Sequence, residues 1–415
     1  MKKERVHYKM NLREGRTNFH SEEKMERIIL HSDLNNFYAS VECMKKPELK
    51  AFPVAVCGDE EKRHGIVLAK NEKAKLFGVT TGETIWQARL KCPNLVIVQP
   101  NYRDYTYFSK RASEIYYRYT DKVEPFGLDE CWLDVTGSTR LFGSGEEIAH
   151  KIRISIKNEL GLTVSVGVSF NKIFAKLASD MKKPDAVTVL SKDDFREKIW
   201  NLPASDMLGV GRKTYMKLTS CGIYTIGQIA KRPPEFFKYK LGKCGLDIWL
   251  AANGLDESEV LERGDDGLDK SCGHGMTTPQ DLLEDHEVWR VMLELSQDIG
   301  HRLSVSQKRA SGISIAIRDN RFITKQWQTK LSLSTGSPSI IAKEAFSLFK
   351  ANYAWKYPIR AVTVRAIDLI SVDTPEQIGL FDDTDAVLKT ENLDKTVESI
   401  RRRFGKGAIC NATLL

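Results

Sequence analysis

The 415-residue chain is 41% hydrophobic and 28% charged, a globular balance that leaves room for two to four packed domains and argues against a disordered chain. No apolar run approaches the ~20 residues of a helical membrane span, and the basic start lacks the apolar core of a secretory signal, so a cytoplasmic location is expected. Eight cysteines, at 43, 57, 92, 131, 221, 244, 272 and 410, form no CxxC pair and meet no histidine at ligand spacing, which speaks against a zinc site or a disulfide framework, while the net charge of +8 suits a polyanionic partner.

Residues 1–26 are polar and aperiodic and read as a disordered extension. Residues 27–33, RIILHSD, form a short apolar strand ending in an acid, and NNFYASVECMKK after it is helical. Strands follow at PVAVCG and GIVLA, then a short helix KNEKAKLFGV closed by Gly78. A long helix, YRDYTYFSKRASEIYYRYTD, precedes the stretch EPFGLDECWLDVTG, a hairpin with Asp129 and Glu130 side by side. After the helix GEEIAHKIRISIKNELG comes LTVSVGVS, where Leu162, Val164, Val166 and Val168 alternate with small polar residues, the period of a strand with one buried face. The outline is α/β, a βαββαβ split sheet with helices on one side. From about 190 the chain turns helical and glycine-punctuated; residues 262–271 read as a linker, and strands with two helices alternate again from 272 to 372.

Asp33 closes the first strand, so pairing with the hairpin would bring Asp33, Asp129 and Glu130 to one sheet edge. Taken singly, each acid also reads as a helix cap or a solvated turn residue. Gathered together, three carboxylates cannot all stay ionised without cations. Mg²⁺ answers that need, since it takes one or two carboxylates and completes its octahedron with phosphate oxygens and water; two such ions ~3.5–4 Å apart would form a nucleotidyl-transfer site.

The segments HSDLNNFYASVE, GLDECWLDVT and TVSVGVSFNKIFAKLASDMKKPDAVTVL resemble the three palm motifs of the Y-family, or translesion, DNA polymerases, with a likeness running from Arg27 to about Val372. The resemblance implies a right-hand polymerase: palm at 27–36 and 101–190, small fingers at 37–100, a helical thumb with a helix-hairpin-helix at 191–263, a linker at 264–271, an α/β little finger at 272–372 and a tail at 373–415. It implies Asp33, Asp129 and Glu130 as ligands of two Mg²⁺ ions, with the Leu34 backbone carbonyl as a further one, Tyr38 as the steric gate beneath the incoming sugar, and Lys183 as a triphosphate ligand. On their own residues, Tyr38 reads as a core aromatic and Lys183 as a solvated cation. The fingers depart from the polymerase IV pattern of Thr, Tyr and Arg: Ala69, Glu72 and Lys75 stand there. Lys75 alone keeps the charge, as a point and not a fork, and Ala69 and Lys75 are nearer to the mutasome branch.

In MLGVGRKT, Gly209 and Gly211 suit a helix-hairpin-helix whose backbone N–H groups approach a DNA phosphate, although a plain helix-turn-helix connection fits equally well. Residues 301–330 hold Arg302, Lys308, Arg309, Arg318, Arg321, Lys325 and Lys330 against a lone Asp319, with Phe322 and Trp327 interleaved, a face that could track a nucleic-acid backbone or stay solvated. In the acidic tail, EQIGLF places Gln377, Leu380 and Phe381 in the Q-x-x-L-F pattern by which bacterial polymerases dock on the sliding clamp. Beyond it Leu393, Val397, Ile400 and Phe404 share a helical face that needs a partner surface. These features favour a monomeric, template-directed polymerase using primer-template DNA and dNTPs over a DNA-binding scaffold without turnover, since a dead site has no reason to gather three acids; a nucleotidyl cyclase with a similar palm would leave the thumb-like and basic segments unexplained.

Overall fold

The computed structural model describes residues 26–61, 63, 65–262, 270–377 and 384–414; the extension at 1–25 and most of the 264–271 linker lie outside these residues. β1 (Ile29–Leu34) is buried along its whole length and turns through Asn36, in the left-handed region at φ 49°, into α1 (Phe37–Lys45). Next come β2 (Val54–Cys57), β3 (Val67–Lys70), α2 (Glu72–Leu76), α3 (Ile85–Lys91) and β4 (Val96–Val98). Their three strands form a sheet in the order β3-β2-β4, packed through Ala55, Val67, Ala74, Ile85 and Ala88. The Asn71 side chain caps α2, and a Thr84–Gln87 capping box starts α3. α4 (Tyr102–Tyr116) leads to the hairpin strands β5 (Val123–Pro125) and β6 (Glu130–Asp134), and then to α5 (Thr139–Phe142), α6 (Gly145–Leu160), β7 (Val164–Ser169), α7 (Lys172–Met181) and β8 (Val187–Val189).

The order β5-β6-β1-β7-β8 puts β1 at the centre of this sheet, antiparallel to both β6 and β7. The alternation in β7 predicts one open face, yet all six of its residues are buried. α6 covers the valine face, where a Cβ on Gly145 would lie 3.1 Å from Val168. α7 covers the other: a Cβ on Gly167 would stand 2.0 Å from the Ala175 carbonyl oxygen. Helices therefore flank both faces, not one, because Gly167 lets a helix backbone approach a surface that reads as solvent-facing.

Short helices α8 (Phe195–Ile199), α9 (Arg212–Thr219), α10 (Ile226–Ala230), α11 (Pro234–Leu241) and α12 (Lys243–Ala252) follow, gathered round Phe195, Ile226, Phe237 and Ile248. A second βαββαβ unit is formed by β9 (Ser271–Leu282), α13 (Asp285–Val305), β10 (Lys308–Asp319), β11 (Thr324–Thr335), α14 (Pro338–Asn352) and β12 (Ile359–Ser371), with strand order β11-β10-β12-β9. Its core joins Ile313, Ile315, Ile317, Val362 and Val364 of the sheet to Val288, Met292, Leu295, Ile341 and Phe349 of the two helices.

The C-terminal helix α15 (Thr384–Phe404) finds its partner surface within the chain, where Val397 and Ile400 of its apolar stripe are half-buried but polar groups make the specific contacts. Several hydrogen bonds fix it. Glu391 accepts from Thr335, Asp394 from Ser337 and Ser339, Glu398 contacts His301 at 2.6 Å, and Arg401 donates to Gln297. Leu393 and Phe404 remain 64% and 68% exposed. The chain divides into two compact units, one comprising residues up to Asn35 with Arg111–Val260, the other Asn36–Lys110 with Leu261–Leu415.

Candidate active site

Strand register brings the three acids to one place. Asp33 lies directly opposite Glu130 on β6, and the Leu34 N–H donates to the Asp129 carbonyl at 2.9 Å, fixing the hairpin turn against the end of β1. Opposed residues of an antiparallel pair project to the same face, so Asp33, Glu130 and, two residues back, His31 share one face, where Glu130 and His31 meet α7 and Asp33 meets Lys183 just beyond it. The Leu34 carbonyl belongs to the same strand end, and the Leu34 side chain is buried.

Two lysines already balance two of these acids. Lys183 donates to Asp33 at 2.6 Å and also holds Asp180 at 2.8 Å, while Lys176 pairs with Glu130. His31 Nε2 lies 3.3 Å from Glu130, within ion-pair reach but not aligned as a hydrogen bond, and its Nδ1 is tied to Ser179 at 2.8 Å. Burial holds His31 below the usual imidazole range, which favours the neutral ring. Burial also raises Asp33, outweighing the Lys183 charge. Burial pushes Glu130 upward too, but its contacts with His31 and Lys176 more than offset this and bring it down to about 2. Asp129 shows the reverse: burial first, then the charges of Asp33 and Glu130, push it up to about 6.

The site is thus short of positive charge at Asp129, and the two ammonium groups stand where cations are wanted. That donor set, all hard oxygen, fits a divalent ion such as Mg²⁺. With the lysines in place, no three His, Cys, Asp or Glu side chains among the described residues converge as ligands of one ion.

Tyr38 stacks on Tyr105, ring centres 4.1 Å apart at 7°, with Tyr102 edge-on at 5.9 Å. Tyr105 is fully buried and donates to Glu42 at 2.7 Å. Phe37, the neighbouring aromatic, is buried in the core. In the fingers segment, Glu72 accepts from Asn36 at 2.8 Å and lies 3.9 Å from Lys75, which partly offsets that cation.

Gly209 adopts φ 91° and Gly211 starts α9, with nothing within 4 Å of the place where its Cβ would stand. A phosphate oxygen could reach that backbone. Of the cations read on β10 and β11, Arg318 and Lys330 lie on the helix-free face of their sheet, because the core residues Ile313, Ile315 and Ile317 alternate with them. Arg365 joins them from β12, opposite Ser314. Lys325, opposite Ile317, falls on the helix-bearing side, and Arg321 folds back onto Asp319 at 2.9 Å and the Tyr357 ring at 3.3 Å, so neither shares that face. Gln377 is exposed, whereas Leu380 and Phe381 lie outside the described residues.

Lys176, His31, Tyr105 and Arg365 belong to these sites although no motif singles them out. A signal existed for the first, since Lys172, Lys176 and Ser179 recur every three to four residues along one side of α7.

The chain matches the impB/mucB/samB family over residues 32–180 and the C-terminal domain of that family over residues 269–380. It is 49% identical to a DNA polymerase IV of Acetivibrio thermocellus over 94% of this chain and 98% of the relative. To the Clostridium acetobutylicum DNA polymerase IV it is 36% identical, over 94% and 99%, and to the Bacillus subtilis DNA polymerase IV 2 also 36%, over 94% and 95%. A solved Y-family DNA polymerase chimera superposes with a TM-score of 0.74 at 23% identity, covering 83% of this chain and 99% of the chimera. Members of this fold family use divalent metal ions. The chain therefore belongs to the impB/mucB/samB family and has the right-hand fold of a Y-family DNA polymerase.

Proposed function

We propose that this protein is a template-directed, error-prone DNA polymerase of translesion synthesis, adding dNTPs to a primer 3′-hydroxyl without proofreading. The observation that carries this reading is the acid cluster at the end of β1, with Asp33 buried, Asp129 and Glu130 half-buried, and Asp129 short of positive charge. Asp33, Asp129 and Glu130, with the Leu34 carbonyl, would hold two Mg²⁺ ions. Divalent ions held by these residues would supply a lowered pKa at the primer hydroxyl and charge neutralisation at the departing pyrophosphate.

The chain's own groups do the rest. Lys183, 28% exposed, can exchange Asp33 for a triphosphate oxygen, and Lys75 offers a second, weaker grip. Tyr38, backed by Tyr105, presents a fixed ring to the sugar and excludes a 2′-hydroxyl by contact. The β5-β6-β1-β7-β8 sheet is the palm, the β3-β2-β4 sheet the fingers, the α8–α12 cluster the thumb and the β9–β12 sheet the little finger. Arg318, Lys330 and Arg365 give the little finger a phosphate-tracking face, and Gly209 and Gly211 give the thumb a backbone grip. Gln377, Leu380 and Phe381 would dock a monomeric enzyme on the sliding clamp. The scaffold reading is not favoured, because it assigns no task to the acids.

Primer extension on a templated duplex, with Mg²⁺ and then with excess EDTA, tests the proposal. Extension in the first and none in the second is expected; a protein that binds the duplex but never extends it would refute catalysis.

A further inference from the structure

The hairpin that carries Asp129 and Glu130 is fastened to α7 at two points one helical turn apart. Lys172 donates to both carboxylate oxygens of Glu124, at 2.7 and 2.6 Å, and its ammonium lies 4.5 Å from the centre of the Trp132 ring. Lys176 pairs with Glu130 and lies 5.2 Å from the Phe126 ring. The two rings touch, centres 4.8 Å apart, and Trp132 meets His31 at 5.3 Å. Each ammonium thus has a carboxylate on one side and an aromatic face on the other. The two lysine side chains are only 12% and 15% exposed. A cation meant to meet DNA gains nothing from being buried this way, and burial is costly unless the pairing has a purpose.

We infer that Lys176 is a positioning residue for Glu130, fixing the orientation of its carboxylate while its charge weakens cation binding there; the inference rests on the reading of the three acids as cation ligands. In the cation-free protein the ammonium relieves repulsion between Glu130 and its acidic neighbours. Toward an arriving divalent ion the same charge is repulsive at short range. A carboxylate held in place costs no reorganisation when the reaction proceeds. Removing the ammonium therefore has two opposed effects, tighter cation binding and slower turnover, a pairing that a purely structural lysine would not produce.

Lys176→Met keeps the aliphatic stem and deletes the charge, Lys176→Arg retains the charge, and Lys172→Met makes the same change one turn away on Glu124. Mn²⁺ binding to the full chain, without DNA or nucleotide, is followed by the electron paramagnetic resonance of free Mn²⁺. The dissociation constant should fall about threefold or more in Lys176→Met and stay within about twofold of wild type in Lys176→Arg and Lys172→Met. Saturating-Mg²⁺ primer extension should drop in kcat by about tenfold or more in Lys176→Met and recover in Lys176→Arg. Unchanged or weaker Mn²⁺ binding in Lys176→Met, or an unchanged kcat, overturns the inference. Lys176→Gln carries the same affinity prediction should the Met variant fail to fold. If Asp129→Ala binds Mn²⁺ as wild type does, the fault lies with the carboxylate reading itself and not with Lys176.

Discussion

Tyr38 is defined by the ring beneath it. Tyr105, buried and hydrogen-bonded to Glu42, cannot yield, so Tyr38, the proposed steric gate, is held in place from behind. Tyr38→Ala should admit ribonucleotides, lowering dNTP-over-rNTP discrimination by one to two orders of magnitude, on the order expected when a shaped contact is lost; single-nucleotide incorporation with each class measures it. Discrimination equal to wild type would move the gate elsewhere, although Phe37, 3% exposed in the core, could not serve without repacking. At the acids, Asp129→Ala or Glu130→Ala should abolish nucleotide addition yet leave primer-template affinity within a few-fold, as the proposed phosphate grips belong to other elements. Extension assays beside binding isotherms separate the two effects, and wild-type extension in either variant would sink the assignment. The gathering of Asp33, Asp129 and Glu130 at one sheet edge was legible because their motifs are dense and register does the rest. Tyr105 was not, for an aromatic on an amphipathic helix reads as core until its stacking partner is seen.

At the scale of elements, the segment after α7 is anchored by Asp185. Arg153 and Lys157 of α6 each donate to its carboxylate at 2.8 Å, and its own N–H bonds to the Asn35 side chain at 2.8 Å. Burial pushes this carboxyl up, but the hydrogen bonds and charges of Lys157 and Arg153 outweigh it and hold it below the ordinary range. A depressed folded pKa means stabilisation that is complete above the unfolded value of about 4 and lost as pH falls through the folded one. Asp185→Asn should therefore cost about 1–3 kcal/mol at pH 7, with the gap to wild type closing under acid. Urea melts at neutral pH and near about pH 3 would show this, and a gap that persisted in acid would assign the effect to packing. The covered second face of β7 belongs to the same scale. Alternation in LTVSVGVS pointed to water on one side, and only the small residues Ser165 and Gly167 hinted that a helix backbone lies against it.

Across the whole molecule, the two βαββαβ sheets and the helical stretch between them could be read from alternation, glycines and length, whereas the compact units could not. Each unit is built from two stretches far apart in sequence, dividing after Asn35, after Lys110 and after Val260, and only long-range pairing such as β1 with β6 and β7 reveals this. The tail is similar: the amphipathic pattern of α15 was visible, but its polar docking depends on partners nearly a hundred residues away, such as His301 for Glu398. Both flanks of the clamp motif are consequently held, since Glu376 accepts from the Ser334 hydroxyl at 2.8 Å on one side and α15 is fastened through Glu391 and Asp394 on the other. Changing Leu380 and Phe381 to Ala should spare distributive extension on a short primer while removing stimulation by a sliding clamp, because truncating two apolar anchors at a small interface costs ~2–4 kcal/mol, most of a micromolar peptide contact. Clamp binding by the full chain and the double variant should be compared at the same salt, since basic domains also attract an acidic partner nonspecifically. Equal affinity would show that EQIGLF is not the anchor, and the exposed Leu393 and Phe404 of α15 would then be the apolar groups left to dock.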